Sequence, residues 1–251
     1  MRGWKTEHFV KEPQDYKVLQ WIVEHTELVA EYDVQRQADG QVGAFGVAPV
    51  VGSRSPMLGI NVEWAGAEQF SMDLAQETPE LFELFQARRR LFLEETRLIA
   101  RGPGDFVKWV ENLMASLFGP RRYRDWVVSV YREAVPILEA AGKRVFVHYD
   151  GILSALRDEI AAAPFHGIES LTEPPEGDML YDECRAAWPD KVFWANLNLG
   201  CYGLPPDQLH AEVRAKLARA GRRGVVLCMS EDLPPNWQQA LPVILDALQT
   251  D

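Results

Sequence analysis

Residues 142–151, Gly142-Lys143-Arg144-Val145-Phe146-Val147-His148-Tyr149-Asp150-Gly151, decide how the rest of the chain is read. Arg144–His148 is a short apolar run rich in Val and Phe, with turn residues on either side, which is the pattern of a strand buried on both faces. Its polar residues gather at the C-terminal end. His148 and Asp150 are two apart, so on an extended chain they face the same side. The pattern recurs downstream: further strands are expected at Gly167–Leu171, Val192–Leu197 and Gly224–Cys228. Amphipathic helical stretches at Ile152–Ala163, Met179–Ala187, Pro206–Ala220 and Trp237–Leu248 lie between or after them. Strands alternating with helices predict βαβ units on a parallel sheet. Pro174-Pro175 and Gly177 mark a loop after the second of these strands, with Asp178 placed to cap the next helix.

The first half is less regular. Pro13–His25 reads as a helix with proline in its first turn, and Pro79–Ile99 as a long amphipathic helix. Leu81, Leu84, Phe85, Leu91, Leu98 and Ile99 fall on or near one face of the latter, and Arg88-Arg89-Arg90 reads mostly as its solvated side. Strands are expected at Gln41–Val51 and Phe106–Val110, and a helix from Arg122 to Ala141. Gly40, Gly43 and Gly46 lack the dinucleotide-binding spacing and precede Pro49 rather than a helix. Six strands are thus legible where a closed (βα)₈ barrel needs eight. The expectation is a single α/β domain over 1–251 of TIM-barrel type, incomplete in its first βα units, with a helical segment at 1–40 and βα units over 41–251. A degenerate strand around Glu27–Val34 is one alternative. An open barrel is the other, whose exposed edge at Gln41–Val51 would invite homodimer formation.

A length of 251 residues suits one such barrel. The 26 Lys and Arg against 37 Asp and Glu give a net charge of −11, which argues against a nucleic-acid partner. The three cysteines, Cys184, Cys201 and Cys228, are odd in number and widely spaced, so reduced thiols are expected. Without an apolar run long enough to span a bilayer, a cytoplasmic protein with no membrane contact is expected.

Chemistry in parallel α/β folds sits at the C-terminal ends of the strands. Those ends carry Glu111 and Asn112, His148 and Asp150, Glu169, Asn196, and Cys228 followed by Glu231 and Asp232. Glu111, Asp150 and Glu169 are the candidate acid–base groups. Asn112, Asn196 and Glu231 are candidates for substrate binding, and His148, Asp150 and Cys228 for a metal, since imidazole, carboxylate and thiolate are all zinc donors. Each also has a structural reading: a core histidine, a helix-capping aspartate, a small buried hydrophobe. Cys184 and Cys201 are assigned to structure, as are His8, His25, His166 and His210. The motifs of serine hydrolases, P-loop NTPases, zincins and dithiol enzymes are missing from the sequence.

The 142–151 stretch, with Ile168-Glu169, Gly177-Asp178, Asn196 and Glu231-Asp232-Leu233-Pro234, resembles the uroporphyrinogen decarboxylase superfamily, which includes the cobalamin-dependent methyltransferases. The resemblance implies a TIM barrel and a chain short at its N-terminus. In the methyltransferase branch a zinc held by a His-x-Cys pair and a later Cys activates a thiol to accept a methyl group from a corrinoid. His148 matches the histidine, Asp150 stands where the first cysteine would be, and Cys228 falls near the second, with Glu169 as a further donor. Three readings follow. The first is a methyl-transfer enzyme acting with a small-molecule substrate or a corrinoid protein. The second is a tetrapyrrole decarboxylase of porphyrin biosynthesis using Asp150. The third is an inactive barrel that only binds.

Overall fold

The computed structural model describes residues 6–229 and 234–249. The six expected strands are present: β1 Val50–Gly52, β2 Phe106–Trp109, β3 Arg144–His148, β4 Gly167–Leu171, β5 Val192–Asn196 and β6 Val225–Cys228. They form one sheet in sequence order, β1-β2-β3-β4-β5-β6. The pairs β1–β2, β4–β5 and β5–β6 are parallel, as helical crossovers require. The α/β class and the sheet of an incomplete barrel are therefore as the sequence led us to expect.

By contacts the chain divides into two compact units, Met1–Phe146 with Ala163–Phe165, and Val147–Ala162 with His166–Asp251. In the first, helix Pro79–Arg101 buries Leu81, Leu84, Phe85, Ala87, Phe92 and Thr96. Helix Ser129–Ala140 buries Val130, Tyr131, Ala134, Val135 and Leu138. Trp109 of β2 stacks on Tyr131 at 5.1 Å and meets Phe92 at 5.2 Å, so the aromatic layer ties the strand to both helices. In the second unit, helices Pro206–Ala220 and Trp237–Gln249 close over Leu197, Cys201 and Tyr202 through Leu209, Val213, Ala240, Ile244 and Ala247.

Several expectations are corrected. Gln41 and Val42 end a helix, Tyr32–Val42, and Gly43–Phe45 forms a 3-10 turn, so the strand expected over Gln41–Val51 shrinks to three residues. The φ of +53° at Gly43 breaks the helix, and the glycines had spaced the apolar residues as a strand would. The stretch Glu27–Val34 holds no strand, and its last three residues open that helix. Asp178 caps the wrong partner for the reading above: its carboxylate accepts from the Leu153 and Ser154 amides and the Ser154 hydroxyl, closing the turn Ser154–Leu156. Of the arginine triplet only Arg90 lies on an open face. Arg88 is half-buried over the Trp64 ring at 4.9 Å, and Arg89 pairs with Glu133.

Candidate functional site

The candidate residues fall into two groups, one in each unit. In the second unit, β3 ends at His148 and β4 carries Glu169. The Tyr149 amide donates to the Glu169 carbonyl at 3.0 Å, which sets the two strand ends side by side. Glu169 Oε2 then lies 2.6 Å from His148 Nδ1. Both side chains are buried, His148 at 6 % and Glu169 at 5 % exposure. A carboxylate on Nδ1 fixes the ring's orientation. Sequence spacing alone could not reveal this pair, since the two residues are 21 apart.

The β4–β5 ladder is irregular at this point. Glu169 pairs with Trp194 but Leu171 pairs with Ala195, so Ser170 is an extra residue. It sits in the left-handed region at φ +69° and is 3 % exposed. Asn196, at the end of β5, donates from Nδ2 to Ser170 Oγ at 2.7 Å. Asp150 is exposed, and Cys228 is half-buried on β6, in register with Asn196. Glu231 lies outside the described residues. Beyond β4, the Glu173 carboxylate is 1 % exposed and accepts from Arg219 Nε (2.7 Å), Arg219 Nη2 (2.6 Å), Lys216 Nζ (2.7 Å) and the Tyr181 amide (2.9 Å). Burial raises its pKa, but these four bonds outweigh it and hold the carboxyl below the usual range. Glu173, Lys216 and Arg219 escaped the sequence reading because they are scattered over loop and helix.

In the first unit, Glu111 follows β2 and is fully buried. Its Oε1 accepts from the Tyr131 hydroxyl at 2.6 Å, and its Oε2 from the Ser55 amide at 2.9 Å and hydroxyl at 3.0 Å. Burial pushes its pKa up to about 7, the bonds and the charge of Arg54 opposing. Asn112 is exposed at φ +52°, and its Oδ1 accepts from Arg54 Nη2 at 2.6 Å. Arg54 also reaches Glu63 at 3.3 Å. The sequence offered no signal for Arg54, Glu63 or Tyr131.

The zinc donors expected from the resemblance do not converge. Among the described residues no three His, Cys, Asp or Glu side chains form a group that could hold a metal ion. β4 and β5 stand between His148 on β3 and Cys228 on β6.

No protein-family profile matches the sequence, and no curated protein matches it. Among solved structures, a methyltransferase from Methanosarcina mazei superposes with a TM-score of 0.63 at 13 % identity, over 92 % of this chain. The chain spans 63 % of the length of that protein. At this identity the likeness is one of fold: an α/β architecture of the kind that methyltransferase has. Among the described residues, no helix is long and apolar enough to cross a membrane.

Proposed function

We propose that this protein is a methyltransferase-type enzyme of the uroporphyrinogen decarboxylase superfamily, with its proton-handling centre at His148 and Glu169. The observation that carries the reading is the buried 2.6 Å contact between His148 Nδ1, at the C-terminal end of β3, and Glu169 Oε2 on the adjacent β4. The fold likeness to a methyltransferase supports the class. In this reading His148 Nε2 takes the proton of an acceptor thiol, and the thiolate, a far better nucleophile than the thiol, attacks a methyl group on a separate donor; the S–CH₃ bond forms as the donor–CH₃ bond breaks, its electron pair leaving with the donor. Glu169 stabilises the imidazolium that results. Asp150, exposed two residues beyond His148, contacts substrate rather than the proton. The donor is a corrinoid, carried by a partner protein.

The test is methyl transfer from methylcobalamin to a panel of small thiols. His148→Ala is expected to lower the rate by ~100-fold and Glu169→Gln by ~10-fold, in line with general base catalysis. Equal rates for wild type and His148→Ala, or no transfer to any thiol, overturn the proposal. Zinc at one per chain, lost in His148→Ala, would instead favour the metal-centred mechanism implied by the resemblance.

A further inference from the structure

Beside Glu169, which meets His148, the backbone holds an unfavourable shape, and the structure shows what holds it. Ser170, the residue that follows, is the extra one in the β4–β5 ladder. Such a bulge re-aims the side chains next to it. Its φ of +69° is a region that residues with a Cβ avoid, so the conformation persists only where neighbours impose it. Two neighbours do. Asn196 Nδ2 donates to Ser170 Oγ at 2.7 Å, and Thr172 Oγ1 donates to the Ser170 carbonyl at 2.9 Å. Tyr181 reinforces the same corner, its hydroxyl lying 2.7 Å from the Asn196 carbonyl and 3.1 Å from that of Leu171. Asn196 is 8 % exposed and its amide nitrogen is committed to Ser170.

We infer that Asn196 is a positioning residue rather than a substrate contact: through Ser170 Oγ it latches the β4 bulge that turns Glu169 onto His148. The inference rests on the dyad reading above but not on the identity of the reaction. It makes a distinction that simple loss of a buried hydrogen bond would not. Ser170→Gly removes the latch but also removes the Cβ that makes the left-handed shape costly, so the bulge keeps its form. Ser170→Ala removes the latch and keeps the Cβ, so the bulge relaxes.

The readout is the pair of His148 ring-nitrogen shifts in full-length protein labelled with ¹⁵N-histidine, assigned by their disappearance in His148→Gln. Wild type and Ser170→Gly are expected to show the Nδ1–H tautomer. Ser170→Ala and Asn196→Ala are expected to lose it, giving mixed tautomers. Retention of the wild-type shifts in Ser170→Ala with a native-like spectrum overturns the inference, and so does identical behaviour of the Ala and Gly variants. If Asn196→Ala does not fold, the two Ser170 variants decide. A wild-type Nδ1–H tautomer together with absent methyl transfer would refute the proposed function and leave the latch standing.

Discussion

Glu111 in the first unit and Glu173 in the second are both carboxylates with almost no exposed surface, yet their proton affinities move in opposite directions. Burial raises both. Glu173 is given two cations, Lys216 and Arg219, and four hydrogen bonds, which favour the ionised form. Glu111 receives only the neutral hydroxyls of Tyr131 and Ser55 and one amide, with Arg54 acting at longer range, and it holds its proton to about pH 7. Depth alone therefore says little about charge. The sign of the shift is set by whether the partners are charged.

The comparison can be broken most severely at Glu173. Glu173→Ala leaves Lys216, itself 3 % exposed, without its buried counter-charge, and urea unfolding is expected to show a loss of about 3–5 kcal/mol. A loss below about 1 kcal/mol would mean that solvent already satisfies the pair. Glu173's folded pKa is depressed, so its contribution is present above the ordinary value of 4.5 and lost as the pH falls through the folded value.

Glu111 runs the other way. Its folded pKa is raised, so its contribution is present below 4.5 and lost as the pH rises to about 7. At 1.36 kcal/mol per pH unit that window corresponds to a fall of about 3 kcal/mol in stability. Glu111→Gln should remove this fall, which paired melts of wild type and variant at pH 5 and pH 8 will show; parallel pH dependences would contradict the buried, protonated state.

Smaller effects sharpen the same contrast. Tyr131→Phe takes one donor from Glu111 and is expected to cost about 1–2 kcal/mol while raising its pKa further, since the lost bond favours the ionised form. Arg90→Ala cuts a surface pair with Glu24 and should change the unfolding free energy by no more than about 0.5 kcal/mol in urea denaturation. A larger change would show that the arginine triplet acts as a unit.

Much of the fold was legible. Arg144–His148, Gly167–Leu171 and Pro206–Ala220 take the bounds that periodicity predicts, because a strand buried on both faces and an amphipathic helix each repeat their pattern locally. The edge around Gln41–Val51 was misread because Val and Phe separated by glycine fit either a strand or a broken helix. Arg88 was misread because helical periodicity gives a face but not what packs on it; here Trp64 and Glu63 do.

The sequence by itself determined the βαβ order and that His148 and Asn196 close their strands, with Glu111 just beyond its own and Glu169 within β4. Only the tertiary structure decided what each of these does. It set Glu169 on His148 Nδ1, joined Asn196 Nδ2 to Ser170 Oγ, placed Cys228 two strands beyond Glu169, and buried Glu111 among neutral donors. The physical reason is one of range. Secondary structure answers to neighbours three or four residues away. A side chain's proton and its partner are fixed by atoms within about 3 Å in space, and the side-chain partner of His148 lies 21 residues away in the chain, that of Glu111 on Ser55 lies 56 away and that of Glu173 on Lys216 lies 43 away.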